Sequence, residues 1–196
     1  MRMKKLITVI LLLAASAGAA AQTHTSPQGY TLYDNEVSLY YGQGSTTQLG
    51  MALGGALGVA LTFGTVSLDE LSSNGTFSAA YHRHVNSWLS VGGIVGYEGI
   101  SLVFSSDESS GSDGDYSFIF AMPSATAKWF SRPSWSMYSR LSAGVITGIH
   151  EGQASWGFAF QASAVGLDFG IEKVRGFLEA GLGCQGILLA GLRLCL

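Results

Sequence analysis

Charged residues are scarce in this sequence. Asp, Glu, Lys and Arg make up only 12% of its 196 residues, about half the fraction that is usual for a soluble domain. Ten basic residues stand against 13 acidic ones. This balance argues against nucleic acid as a partner, because such a partner requires a basic stripe on the protein.

Proline is also scarce, and no long apolar run follows the first residues. With 3 prolines beside 27 glycines, the glycine does not indicate a flexible linker. Beyond residue 21, no segment offers the roughly 20 consecutive apolar residues that a membrane-crossing helix needs. Hydrophobic residues nevertheless make up 47% of the chain. If so apolar a chain lies in a membrane, a closed β-barrel is the remaining way to satisfy its backbone hydrogen bonds.

The first 21 residues have the pattern of a secretory signal peptide. Three basic residues precede the uncharged run 6–17, and the small residues 18–21 follow it. We predict cleavage after Ala21. Position 22 is Gln rather than Cys, so no lipoprotein anchor is predicted. Three of the ten basic residues and none of the acidic ones precede the cut, which leaves a formal charge of −6 on the mature chain.

A polar stretch, 22–34, leads into one predicted domain, 35–196, that consists of strand-like segments separated by turn signals. Eight such segments are present: 35–44, 76–85, 88–104, 116–131, 135–149, 156–171, 176–183 and 187–196. The expected fold is all-β, an eight-stranded antiparallel up-and-down transmembrane β-barrel. An even number of strands places both chain ends on one side.

The connections sort by length in the manner of a Gram-negative outer-membrane barrel. With the chain ends in the periplasm, three short turns are periplasmic: 86–87, 132–134 and 172–175. The two long connections, 45–75 and 105–115, then lie outside, together with the short links 150–155 and 184–186. This arrangement predicts an outer-membrane location and outer-membrane lipid as a partner.

Side chains alternate most clearly at the end of the chain. Leu192 and Leu194 belong to one apolar face, and Arg193 lies on the other. In a membrane barrel the apolar face meets lipid and the charged face points inward, and eight strands enclose a space that side chains fill. We therefore expect a polar network in the lumen, made of Glu36, Lys128, Arg140, Glu179 and Arg193. Closure places the first and last strands side by side, so Glu36 and Arg193 are expected to pair.

The uncharged segment 49–64 is ambiguous. Large and small side chains alternate along it, as in a strand, yet leucines also recur every fourth residue, as on one face of a helix. Each of its glycines costs up to about 1 kcal/mol in a helix. A strand extension or a hairpin at the barrel rim is therefore favoured, and a helix or a plug is the alternative.

Three runs resemble the small outer membrane protein β-barrel domain family: AAYHRHVNSWLSVGGIVGYEG (79–99), FAFQASAVGLDFG (158–170) and GFLEAGLGCQGILLAGLRLCL (176–196). The resemblance covers about 30–196, with a gap over 45–75. It implies an eight-stranded barrel, insertion by the barrel assembly machinery and no assigned catalysis. Gly191, Leu194 and Leu196 also resemble the assembly signal Gly-x-x-apolar-x-apolar, although Leu196 stands where an aromatic residue is usual.

Candidate metal sites are few. His82 and His84 lie two residues apart, so both side chains leave the same face of a strand. They are interpreted as structural or lumen-lining histidines rather than zinc ligands, because no nearby Cys or carboxylate completes a ligand set. The acidic run with Asp107, Glu108, Asp113 and Asp115 does not match an EF-hand loop and is interpreted as a solvated loop. No metal and no cofactor is expected.

Catalytic and covalent sites are equally sparse. His150 and Glu151 lie at an outer strand end, but no local motif marks one of the many serines as a nucleophile. Cys184 and Cys195 are predicted to be free thiols, because a hairpin with its turn near 185–186 separates them by about 26 Å, too far for a disulfide. The tryptophans are expected in interfacial girdles: Trp88, Trp129, Trp135 and Trp156.

Several functions remain open at this point. A structural or interaction barrel without catalysis is favoured. The alternatives are a narrow channel or a conduit for small apolar molecules, an enzyme that modifies membrane lipid, and a soluble ligand-binding barrel in the periplasm.

Overall fold

The computed structural model describes residues 23–25, 31–61, 66–106, 109–150, 152–171 and 173–196. The predicted signal peptide lies outside the described residues. A short two-stranded sheet precedes the barrel and is formed by β1 (Thr23–Thr25) and β2 (Thr31–Tyr33).

Eight further strands and one helix follow in chain order. They are β3 (Asn35–Gln43), α1 (Thr46–Leu61), β4 (Val66–His84), β5 (Leu89–Ser106), β6 (Ser109–Ser131), β7 (Trp135–His150), β8 (Gln153–Ile171), β9 (Val174–Gly183) and β10 (Leu188–Cys195). Among the described residues, no helix has the length and hydropathy needed to cross a bilayer.

The eight strands close into a barrel in which every neighbour is antiparallel. Consecutive strands pair with each other, and β10 pairs with β3 to complete the ring. Leu192 lies opposite Leu39 at this seam, and Arg193 lies opposite Ser38. The seam continues to the chain end, where Leu196 N donates to Asn35 O at 2.8 Å. The predicted closed, eight-stranded antiparallel barrel is therefore confirmed.

The two ends of the barrel differ. At the "terminal end" lie Asn35, Leu196 and the short turns that follow β4, β6 and β8. At the opposite "helix end", β3 runs into α1, and β9 turns into β10. Strands β4, β5 and β6 extend beyond the other strands at the helix end, because β3 ends at Gln43, opposite the region of Thr76.

This extension corrects the predicted long connections 45–75 and 105–115. Strand β4 begins at Val66 and pairs with β5 as far as Ser106, while β6 begins at Ser109. Segment 109–115 consists only of Ser, Gly and Asp, which indicated a loop, and segment 66–75 was part of the predicted connection 45–75. A ladder is nevertheless held by backbone N–H and C=O groups, so polar side chains on both faces do not prevent pairing.

The interpretation of 49–64 as a strand extension or hairpin was wrong, because the described helix α1 covers Thr46–Leu61. The sequence Ser45-Thr46-Thr47-Gln48 has the spacing of a capping box. Ser45 Oγ accepts the N–H of Gln48 at 3.0 Å, and the Gln48 side chain accepts the N–H of Gly44 at 3.1 Å. This cap stabilises the first turn and offsets part of the cost of the glycines that follow.

The barrel has opposite polarity inside and outside. Its outward positions are apolar and exposed, as with Leu141 at 64% and Leu192 at 62% exposure. Among the described buried residues, polar and charged side chains outnumber hydrophobic ones. The strict alternation along β10 separates the two sets, since Leu192 is exposed while its neighbour Arg193 is buried.

Candidate functional site

The five predicted lumen residues all lie in the barrel interior. Glu36, Arg140, Glu179 and Arg193 are buried, and Lys128 is partly buried at the terminal end. Each of these side chains points inward, because successive side chains on a strand point to opposite faces of the sheet. The structure joins the five residues into two ionic clusters.

The first cluster, named the terminal network, is centred on Glu36. Its Oε1 accepts from Lys128 Nζ at 2.9 Å and lies 2.6 Å from His84 Nε2. Its Oε2 lies 3.6 Å from Arg193 Nε. The Glu36–Arg193 pair expected from barrel closure is thus present across the β3–β10 seam. One carboxylate thus connects four strands, since Glu36 lies on β3, His84 on β4, Lys128 on β6 and Arg193 on β10.

Asp168 on β8 belongs to the same terminal network and was missed from the sequence. Its Oδ2 accepts from Arg193 NH1 and its Oδ1 from Arg175 Nε, both at 2.6 Å. The available signal was alternation, because Asp168 stands between the outward residues Leu167 and Phe169. A charge flanked by two apolar residues on a strand indicates the inner face.

The second cluster is the buried pair of Arg140 and Glu179, deeper in the interior. Arg140 NH2 donates to Glu179 Oε2 at 2.6 Å and to Gln185 Oε1 at 2.8 Å. Tyr138 OH donates to the other carboxylate oxygen at 2.7 Å. The guanidinium also lies over the Tyr40 ring, 4.6 Å from its centroid, a cation–π geometry. The pair links β7, β9 and the turn after β9.

Apolar side chains fill the interior beside these clusters. Ile94, Phe120, Met122 and Phe177 are almost completely buried and form one packed group. The Phe120 ring occupies the space over Gly96, where a Cβ would come within 2.1 Å of it. Glycine at position 96 therefore leaves room for the Phe120 ring. Ion pairs and packed rings together occupy the interior of the barrel.

The two predicted lumen-lining histidines have protein partners. His82 is buried with Nε2 at 3.0 Å from Ser124 Oγ, and His84 contacts Glu36. Within the described ranges, no group of three or more His, Cys, Asp or Glu residues is placed to hold a metal ion. That these histidines are structural rather than zinc ligands stays a prediction.

A third polar cluster, named the rim cluster, lies at the helix end and was not predicted. Glu98 on β5 is 1% exposed. Its carboxylate accepts from Ser45 Oγ at 2.7 and 2.8 Å, from Gln48 Nε2 at 2.8 Å and from Ser73 Oγ at 3.4 Å. These donors are neutral, and two of them form the cap of α1. A carboxylate at a helix N-terminus is favoured by the helix dipole, so Glu98 fastens α1 to the barrel.

His150 lies at the end of β7, among aromatic and polar side chains. His150 stacks on Tyr116 with the ring centroids 4.2 Å apart, and its Nδ1 lies 3.3 Å from the carbonyl oxygen of Asp115. The Asp115 carboxylate accepts from Ser101 Oγ at 2.7 Å. Asp107, Glu108 and Glu151 lie outside the described residues, and so does the side chain of Asp113. His150 is therefore packed against an aromatic ring at this strand end.

The remaining predicted residues lie on the barrel wall or at its ends. Cys184, in the turn after β9, and Cys195, at the end of β10, are buried free thiols. Trp88, Trp129 and Trp135 are exposed at the terminal end, and Trp156 is exposed at the helix end. In the predicted assembly signal, Leu194 is exposed outward, Gly191 is partly buried against Phe177, and Leu196 closes the seam with Asn35.

Comparison of the chain with protein-family models, with curated proteins and with solved structures gave no match. The resemblance to the small outer membrane protein family therefore stays a prediction.

Proposed function

We propose that this chain is an integral outer-membrane β-barrel with a structural or interaction role and without catalysis. The observation that supports this most strongly is the inverted polarity of the barrel. Leucines and valines cover its outer wall, whereas carboxylates, guanidinium groups and hydroxyls lie inside.

The wall itself is suited to hydrocarbon. Moving one fully exposed leucine out of water is worth roughly 1.5–3 kcal/mol, and many outward positions of the barrel carry large apolar side chains that are 37% to 78% exposed. In water such a wall is an aggregation hazard. In a bilayer the part of the ring in which all eight strands are paired leaves no unpaired edge, which is the condition for a spanning sheet. In the described strands, unpaired edges occur only where strands extend beyond their neighbours at the helix end.

The exposed tryptophans support the same placement. Three lie at the terminal end and one at the helix end, with apolar wall between them. Tryptophan favours the two membrane interfaces, where one part of the ring is apolar and the N–H remains hydrated. Strands of 8 to 23 residues are close to or above the roughly 9–11 residues that cross a bilayer at a tilt.

The structural part of the role follows from what the interior contains. The ion pairs connect strand to strand and bury their charges against packed rings, which suits a rigid scaffold. The strands that extend beyond the others, β4, β5 and β6, place a three-stranded extension outside the membrane. We assign to this extension the interaction part of the role, with an extracellular partner.

Membrane fractionation combined with gel migration tests the proposal. We expect the protein in the outer-membrane fraction, resistant to urea extraction, and migrating faster before boiling than after it, because a closed barrel binds less detergent than an unfolded chain. A protein that urea extracts and whose migration does not change on boiling would instead be a soluble or peripheral barrel.

A further inference from the structure

The helix α1 presents an apolar face that the barrel does not cover. Leu49 is 51% and Leu53 is 59% exposed. Beside them, Gly50 and Gly54 are open, since a Cβ added at either position would meet no atom within 4 Å. These four residues lie one turn apart in pairs, so they form one continuous face.

The first turn of α1 is attached to the barrel by side-chain contacts. Ser45 and Gln48 bind the buried Glu98, and Thr46 Oγ1 lies 3.8 Å from Cys184 Sγ. The same cap that begins the helix therefore fastens it at the helix end of the barrel. Leu49 and Leu53 follow this anchor along the helix and are exposed.

The apolar outer wall reaches the point where α1 begins. A Cβ on Gly44, which precedes the cap, would lie 3.4 Å from the side chain of Ile187. Ile187 and Leu188 are exposed on the wall, as is the contacting pair of Tyr41 and Phe77 on the adjoining strands. The start of the helix thus adjoins a surface that the proposed function assigns to lipid.

The lack of charged residues on α1 indicates which part of a lipid its exposed face contacts. No residue of α1 is charged, so the helix offers no cation to a phosphate and no anion to a basic partner. A face made of leucine and glycine matches hydrocarbon instead. We infer that the Leu49–Leu53 face of α1 lies against the acyl chains of the leaflet at the helix end, and that Glu98 tethers it there. This inference rests on the proposed membrane insertion.

Fluorescent labels quenched by brominated lipid test the inference. In a Cys184→Ser, Cys195→Ser background, a bimane label is placed at Leu53→Cys, at Leu141→Cys on the wall, or at Asn86→Cys in a terminal-end turn. The whole barrel is reconstituted in phosphatidylcholine vesicles with or without brominated acyl chains. We expect quenching at position 53 to reach at least half of that at position 141, and little quenching at position 86.

The controls separate the possible failures. Strong quenching at position 141 with none at position 53 would overturn the inference and leave the membrane barrel intact. Absence of quenching at position 141 would instead contradict the proposed function. Labels at position 53 that quench one another as the protein-to-lipid ratio rises, while they remain shielded from bromine, would assign the face to a second copy of the chain and overturn the lipid assignment.

Discussion

The two ends of the barrel interior are built on different principles. At the terminal end, Glu36 and Asp168 are each bound by cationic side chains from neighbouring and distant strands. At the helix end, Glu98 is equally buried but is bound by hydroxyl and amide donors. The first arrangement connects strands to strands, whereas the second connects a helix to the barrel.

The contacts that close the barrel are therefore separate from those that attach α1 to it. Ion pairs among strands contribute to closure, so their loss affects the whole ring. The rim cluster holds α1 at its first turn and contributes little to the pairing of β9, β10 and β3. We therefore expect global effects from changes inside the ring and local effects from changes at the rim.

The largest effect is expected for Glu179→Leu. This change leaves the buried Arg140 guanidinium without its carboxylate and Tyr138 OH without its acceptor. Breaking a buried pair from one side costs about 3–5 kcal/mol. The free energy of unfolding, measured by urea titration in lipid vesicles with tryptophan fluorescence as the signal, is expected to fall by that amount.

The matched control replaces both partners. Arg140→Met combined with Glu179→Leu removes the charges together, and an apolar pair of similar volume is often neutral in stability. The double variant is expected to recover part of the loss, because no unpaired charge stays buried while Tyr138 OH and Gln185 Oε1 still lack these partners. If the single variant were as stable as the unchanged protein, the pair would have no part in holding the ring.

A smaller and local effect is expected for Glu98→Gln. The amide keeps one acceptor oxygen but loses the charge that strengthens the bonds from Ser45 and Gln48, each bond to a charged group being worth about 1.5–3 kcal/mol. Amide hydrogen exchange over 46–54 is expected to become about ten to a hundred times faster, since about 1.4 kcal/mol corresponds to a factor of ten.

Exchange in the strands provides the comparison. Protection along β10 should stay unchanged in Glu98→Gln, whereas Glu36→Gln at the terminal end should lower protection in β3 and β10 together. Equal acceleration in α1 and in the strands of Glu98→Gln would contradict the separation of the two regions.

Much of the barrel was predictable because its rules are local. Period-two alternation placed Glu36, Arg140, Glu179 and Arg193 on one face, and turn residues located the hairpins. Closure of an even number of strands then made Glu36 and Arg193 neighbours, although they lie far apart in the chain. The ion partners beyond that pair depend on the stagger of the strands, which alternation alone does not determine.

The helix end was harder to predict for two physical reasons. Strand pairing uses backbone groups, so the segments 66–75 and 109–115 extended the ladder where connections were predicted. In α1, the capping box at Ser45 and Gln48 and the tertiary bond to Glu98 outweigh the glycine content. Glu98 itself lies between Tyr97 and Gly99, where a single charge has no partner visible in the sequence.

Contact of the outer wall with hydrocarbon is tested most directly by the variant Leu141→Arg. Leu141 lies midway along β7 and is 64% exposed. At the centre of a bilayer this change costs about 2–4 kcal/mol, whereas an exposed position in water tolerates it within about 0.5 kcal/mol. The free energy of unfolding in vesicles is predicted to fall by about 2–4 kcal/mol, with the variant Ser87→Arg, in the exposed turn after β4, unchanged. A Leu141→Arg barrel within about 0.5 kcal/mol of the original would contradict the membrane account.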